Sequence, residues 1–301
     1  MSELLKTEIC GIKMNTPILA ASGTFGFGEE FANFVELDKL GGVMVKCITL
    51  KPRSGNKGVR IAETSMGMLN SIGLENPGIE NFLSEILPRI KNNMNVIVNI
   101  SGSSVEDYGE LAKLLDVDGV AAIELNISCP NVKDGGIIFG TSPKAASEVT
   151  ETAKKNTSKP VIVKLSPNVA DIAEIALAVE FAGADCISLI NTLIGMQINI
   201  DTWKPTLGNI TGGLSGAAIK PVAVRMVYQV AKAVKIPVIG MGGIRTCADA
   251  VEFFLAGASA VAIGTANFID PTVTMKIIAD LEIYLQSRGL ENISEIVGKV
   301  K

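Results

Sequence analysis

Residues 161–190 read VIVKLSPNVADIAEIALAVEFAGADCISLI, and this stretch decides the fold. It opens on an apolar run, Val161–Leu165, and closes on another, Cys186–Ile190. Such runs suit parallel strands that are covered on both faces. Between them, Asp171 to Gly183 carries a helical period. Ile172, Ile175, Ala176 and Val179 fall on one face, Asp171, Glu174 and Glu180 are left for solvent, and Gly183 can end the helix. The segment is one strand–helix–strand unit.

The same unit recurs on either side. Apolar runs at Ile18–Ala21, Gly42–Lys46, Val96–Ile100 and Ala121–Asn126 precede it, and Val238–Met241 and Ala260–Gly264 follow. Eight strand–helix units in 301 residues predict a single domain over 1–301 of the α/β class. The expected architecture is a (β/α)8 TIM barrel with long inserted loops at the C-terminal face of the strands. A doubly wound sheet is the alternative, since the same alternation builds it. Three connections are long (47–77, 127–142 and 191–216), and long loops in a compact domain are usually functional. Leu5 to Asn15 precedes the first strand and reads as a small hairpin plugging the barrel bottom.

Composition narrows the function classes. The chain is 48% hydrophobic and 19% charged with net charge -4, and its pI of about 5.2 and mean hydropathy of +0.37 argue for a large core and against a nucleic-acid surface. The N-terminus lacks the basic and apolar regions of a secretory signal, and no run is long enough to span a membrane. A soluble cytoplasmic protein is expected. Cys10, Cys47, Cys129, Cys186 and Cys247 are scattered without a C-x-x-C spacing, so no metal site is expected. Cys10, Cys186 and Cys247 read as small buried hydrophobes.

There is no histidine, so the commonest general acid/base is absent. Proton chemistry must fall to other side chains. Glu124-Leu-Asn126-Ile-Ser-Cys129-Pro-Asn131 sets an amide and a thiol just past a strand, and Cys129 is the first candidate base. On a barrel, the active site sits at the C-terminal strand ends. Those ends carry Ser22, Lys46, Asn99, Asn126, Lys164, Asn191, Gly242 and Gly264, more polar groups and glycines than solubility alone requires. Gly240-Met-Gly242-Gly243-Ile244 and Ile263-Gly264-Thr265-Ala266 lie where barrels often bind phosphate. Thr211-Gly-Gly-Leu-Ser-Gly216 reads as a further flexible, donor-rich loop. The phosphate belongs to a substrate or to a cofactor such as FMN. Lys46 and Lys164 each read either as a snorkelling lysine or as a cation facing an anionic ligand; two at one mouth favour the ligand.

Taken together, these motifs resemble class 1 dihydroorotate dehydrogenases. The resemblance spans nearly the whole chain and rests on Ala21-Ser22-Gly23-Thr24, Asn70-Ser71-Ile72-Gly73-Leu74-Glu75-Asn76-Pro77-Gly78, Leu125–Asn131, Ile190-Asn191-Thr192, Gly212–Gly216 and the two glycine loops. The Asn70–Gly78 form is most like the catalytic subunit of the NAD-linked type B enzyme. The resemblance implies oxidation of dihydroorotate to orotate in pyrimidine synthesis, with Cys129 taking the C5 proton and hydride passing from C6 to N5 of FMN. It implies that Lys46, Asn70, Ser71, Ile72, Gly73, Leu74, Asn126, Asn191 and Thr192 hold the substrate. It likewise implies that Ser22, Lys46, Cys47, Asn99, Asn126, Lys164, Ile190, Gly216, Gly242, Gly243, Gly264 and Thr265 contact one FMN per chain. Electrons bound for NAD would leave through a partner subunit carrying FAD and a 2Fe–2S cluster, in a heterotetramer built on a homodimer of this chain. Class 2 enzymes use serine as base and carry an N-terminal extension, neither of which fits. The competing readings are the fumarate-linked type A enzyme, a non-redox phosphate-binding lyase or isomerase using Lys164, and a barrel kept only as a scaffold.

Overall fold

The computed structural model of the chain describes residues 3–127 and 136–300. Eight parallel strands close into a barrel: β1 (Ile18–Ala20), β2 (Gly42–Ile48), β3 (Val96–Ile100), β4 (Val120–Asn126), β5 (Val161–Lys164), β6 (Cys186–Leu189), β7 (Val238–Met241) and β8 (Ala260–Ile263). They neighbour one another in chain order, and β8 returns to β1 with Val261 opposite Ile18 and Ile263 opposite Ala20. The doubly wound alternative is therefore excluded.

Strand parity explains the continuous apolar runs. In β3, Val96, Val98 and Ile100 pack outward into the main core under the helices, while Ile97 joins the inner cluster. In β5, Val161 and Val163 face out and Ile162 faces in. The inner cluster also holds Leu19, Met44, Ala122, Cys186, Ile239 and Ala260. The helix read at Asp171–Gly183 forms over Ile172–Phe181, with the Asp171 side chain accepting from the Ala173 N–H at 2.9 Å and Gly183 at φ 93° beyond its end. Glu180 is not left to solvent: its carboxylate accepts the backbone N–H groups of Lys235 and Ile236.

The N-terminal hairpin is present. Thr7–Ile9 pairs antiparallel with Ile12–Met14, and Ile9, Ile12 and Met14 are buried in the inner cluster. Cys10 at its tip donates a weak hydrogen bond to the Asp185 carbonyl at 3.1 Å, one residue before β6 starts. The hairpin thus stops the N-terminal end of the barrel.

At the opposite end the long loops build a roof. Four antiparallel strands run in the order Leu193–Met196, Thr211–Ser215, Gly67–Asn70, Ile61–Thr64. The expectation of a flexible loop at Thr211–Gly216 is corrected here. Thr211–Ser215 is a strand paired on both sides, and its glycines serve close approach: a Cβ on Gly212 would lie 2.5 Å from the Asn70 carbonyl oxygen. Among the described residues no helix is long and apolar enough to cross a membrane.

Candidate active site

The inward parity that carries apolar groups low in the barrel carries polar groups near its C-terminal end. Continuing each strand upward by two residues leads from Met44 to Lys46, Ile97 to Asn99, Ala122 to Glu124 and Asn126, Ile162 to Lys164, and Cys186 to Ser188. Glu124 is fully buried and accepts from Asn99 Nδ2 at 2.5 Å and from the Ser188 hydroxyl at 2.7 Å. Lys164, 5% exposed, lies with Nζ 3.9 Å from the Glu124 carboxylate and donates to Ser22 Oγ at 3.0 Å. An ammonium has three donors, so Lys164 retains capacity for a ligand. Asn99 Oδ1 is buried and has no partner among the described residues. Lys46 is half-buried, and no described carboxylate pairs with it.

The amides sit beside this floor. Asn191 Nδ2 donates to Asn126 Oδ1 at 3.3 Å, and the Asn191 side-chain oxygen accepts from the Thr192 N–H at 2.8 Å. The roof brings Asn70 to them: its Nδ2 donates to the Gly213 carbonyl at 3.3 Å, and a Cβ on Gly213 would run into the Thr192 side chain. The Ser71 hydroxyl is buried and unpartnered among the described residues. Ser71 and Ile72 offer their carbonyls to the side-chain amide and backbone N–H of Asn56. Gly73 and Leu74 are both left-handed, at φ 79° and 56°.

The phosphate end also converges. Gly243, at φ 81°, packs so tightly that a Cβ there would lie 2.9 Å from the Gly216 carbonyl oxygen and 2.8 Å from Lys220 Cβ. A Cβ on Gly242 would be 3.3 Å from Ile190 Cγ1. The Thr265 hydroxyl donates to Ser215 Oγ at 2.8 Å, and Gly264 faces open space with only Ala21 and Thr24 within 4 Å. Cys47 is 8% exposed on β2. Cys129 lies outside the described residues, as does Asn131.

Three residues escaped the sequence reading. Glu124 is marked in the sequence only by its parity: a carboxylate inside an apolar strand, two positions from Ala122 and Asn126, faces inward. Asn168 pins the Asn191–Thr192 turn, donating to the Thr192 carbonyl at 3.0 Å and accepting from Ile194 N–H at 3.0 Å. Asn76 anchors the Asn70–Gly78 loop to the end of β2. Its Nδ2 donates to the Leu74 carbonyl at 2.7 Å and to Thr49 Oγ1 at 2.8 Å, while its Oδ1 accepts the N–H groups of Gly78 and Thr49 at 2.8 and 3.2 Å. Their partners are set by tertiary contact, which no local pattern encodes.

Two of the described thiols are unsuited to accept a proton near neutral pH. Burial pushes the Cys186 thiol well up, and burial followed by the Asp280 charge pushes Cys247 up to about 11. Chemically, the mouth offers a buried acceptor at Asn99, spare cationic donors at Lys46 and Lys164, and glycine-lined backbone at the β7 and β8 ends. This donor set fits a flavin mononucleotide. The lone amide oxygen can take a ring N–H, the lysine can face developing negative charge, and the close-packed glycines leave backbone room for a phosphate.

Comparison with known proteins agrees with this geometry. The family profile described as dihydroorotate dehydrogenase matches residues 4–285. A protein of Geobacter sp. (strain M21) named "Dihydroorotate dehydrogenase B (NAD(+)), catalytic subunit" is 54% identical over 299 residues, covering 99% of this chain and 98% of its own. Proteins of the same name from Geobacter metallireducens and Bacteroides fragilis are 55% and 54% identical, each over 99% of this chain and 98% and 99% of theirs. A closed eight-stranded barrel with this mouth, matched along almost its whole length by such relatives, makes this chain a member of the dihydroorotate dehydrogenase family.

Proposed function

We propose that the chain is one FMN-binding domain that oxidises dihydroorotate to orotate, as the catalytic subunit of an NAD-linked enzyme. The observation that carries this reading is the cluster of inward groups at the barrel mouth. Lys46 and Lys164 both have capacity for an anion there, beside the Asn99 oxygen, which has no partner among the described residues, and an arc of amides. FMN, when bound, supplies the acceptor for the two electrons and the hydrogen leaving C6 of the substrate.

The residues of this chain do the remaining work. Lys46 is assigned the substrate carboxylate, and Asn70, Asn126, Asn191 and Thr192 the alternating N–H and C=O groups of the ring, which neutral amides can match from either side. The Ser71–Leu74 backbone, which follows Asn70 in the chain, is assigned to the same ring. Lys164, Asn99 and Ser22 are assigned the flavin ring; Gly216, Gly242, Gly243, Gly264 and Thr265 are assigned its phosphate, with Ile190 and Cys47 packing beside it. Cys129 is assigned the C5 proton, which its thiolate accepts; a free thiol titrates at about 8.5, so flavin reduction should accelerate as pH rises through the Cys129 value.

The names of the relatives support the NAD-linked assignment, and "catalytic subunit" in those names supports a further subunit. We infer that this further subunit carries FAD and a 2Fe–2S cluster, as the resemblance to the NAD-linked type B enzyme implies. A heterotetramer on a homodimer core, located in the cytoplasm, follows from the same reading.

The test is the visible spectrum of the purified chain before and after anaerobic dihydroorotate. A flavin band that bleaches supports the reading. A flavin band that persists under excess dihydroorotate overturns the substrate assignment, and a colourless chain that takes up no FMN overturns the cofactor and revives the lyase or isomerase alternative.

A further inference from the structure

Glu124 and Lys164 are the only charged side chains in the buried set of the described residues. A buried ion pair is a weak source of stability, because desolvation of both ions offsets most of their attraction. Well-packed apolar residues of similar volume would serve the barrel interior at least as well. The placement of this pair directly beneath the mouth therefore asks for a role in the site.

The geometry is asymmetric. The carboxylate takes its two short hydrogen bonds from neutral donors, Asn99 Nδ2 at 2.5 Å and Ser188 Oγ at 2.7 Å, and stands 3.9 Å from the ammonium without a direct hydrogen bond. Lys164 leans instead on Ser22 at the mouth. A carboxylate can only accept, so Asn99 must turn its NH2 down toward Glu124. Its oxygen is then left without a partner among the described residues. The negative charge thus does two things: it fixes the polarity of Asn99, and it counters part of the field of Lys164 without taking up the donors of that lysine.

We propose that Glu124 is a positioning residue that orients Asn99 and sets its own charge against that of Lys164. It holds the reduction potential of a flavin bound above them lower than the Lys164 cation alone would set it. This rests on the reading of the mouth as a flavin site. Two-electron, one-proton reduction leaves the isoalloxazine ring with one added negative charge, which Lys164 attracts and Glu124 repels. In a dry interior both effects are felt over several ångströms. A lower potential disfavours reduction by substrate and favours passing electrons onward, so the pair sets a compromise between the two half-reactions.

The experiment compares wild type, Glu124→Gln and Glu124→Asp, each loaded with FMN. The midpoint potential is measured anaerobically against reference dyes with no substrate present. Gln keeps the shape and can still accept from Asn99. It is expected to raise the potential by about tenfold in the oxidised-to-reduced equilibrium, or ~30 mV for a two-electron couple. Asp keeps the charge and is expected to stay close to wild type. An unchanged or lowered potential in Glu124→Gln overturns the proposal, because a carboxylate that only packs leaves the potential where it was. If Glu124→Gln loses its flavin, Lys164→Gln is compared with Lys164→Gln/Glu124→Gln, whose buried pair is neutral. The double variant is expected above the single, and equality overturns the proposal. Wild type that binds no FMN defeats the flavin reading itself, whereas flavin that binds but ignores dihydroorotate defeats only the substrate assignment and leaves this test intact.

Discussion

Replacing Asn76 with alanine should loosen the substrate side of the site while sparing the flavin side. Asn76 is 5% exposed, and its amide satisfies the Thr49 and Gly78 N–H groups and the Leu74 carbonyl. Alanine leaves those three backbone groups without partners, and Thr49 Oγ1 loses a donor at 2.8 Å. At about 1 kcal/mol for each backbone group, the loss is ~3 kcal/mol, or roughly 150-fold in an equilibrium constant. The damage falls on the loop that carries Asn70 to Leu74, because Asn76 is what ties that loop to the end of β2. The assay is urea unfolding of the FMN-loaded protein together with steady-state kinetics. The expected result is a stability loss of ~2–4 kcal/mol and a raised KM for dihydroorotate with FMN content unchanged. A loss under ~1 kcal/mol with wild-type KM would refute the anchoring role, and loss of FMN with normal KM would place the loop on the wrong side of the site.

Other outcomes follow from the same structure. Gly243→Ala forces a left-handed residue, costing ~1–2 kcal/mol, against Lys220 and the Gly216 carbonyl; FMN affinity, followed by flavin fluorescence, should fall about tenfold, and unchanged affinity would detach this loop from the phosphate. Ile9→Ala empties part of the barrel plug and should cost ~2–5 kcal/mol in denaturant unfolding with kcat and KM unaltered; a kinetic defect at normal stability would contradict a purely structural plug. Lys220 bonds to Asp249 at 2.7 Å and Glu252 at 2.5 Å, and these two hydrogen bonds, Asp249 first, raise its pKa. A raised folded value means that its contribution is complete below the unfolded lysine pKa of ~10.4 and is lost as pH climbs through the folded value. The melting-temperature gap between wild type and Lys220→Met should therefore hold from about pH 6 to about pH 10, where Asp249 and Glu252 stay ionised, and close above it; a gap that persists undiminished well above that range would refute the linkage.

The barrel was legible in the sequence because its signal is local. Each strand is a short apolar run and each helix has its own period, so Val161–Lys164 and Ile172–Phe181 could be read without knowing what they touch. Even the N-terminal plug was visible as a short apolar hairpin. Strand ends were read to within two residues; β2 runs on to Ile48 past an irregularity after Val45 that no local pattern announces. The roof was not legible. Thr211–Ser215 pairs with Gly67–Asn70 across more than a hundred residues, and two glycines in five positions look like a turn until the neighbours they admit are known. The site divides in the same way. Lys46, Asn99 and Lys164 were marked by polar residues ending apolar strands, whereas Glu124 was hidden in the middle of one, where its parity was the only clue.

The stoppered barrel has a kinetic consequence. With Ile9, Ile12 and Met14 filling one end, the interior cannot be reached from that side. Whatever reacts over the lysine floor must enter and depart through the same aperture. Product still lodged there blocks the next molecule of reactant, so orotate should behave as a competitive inhibitor of dihydroorotate, and traffic through one opening becomes part of the turnover cycle.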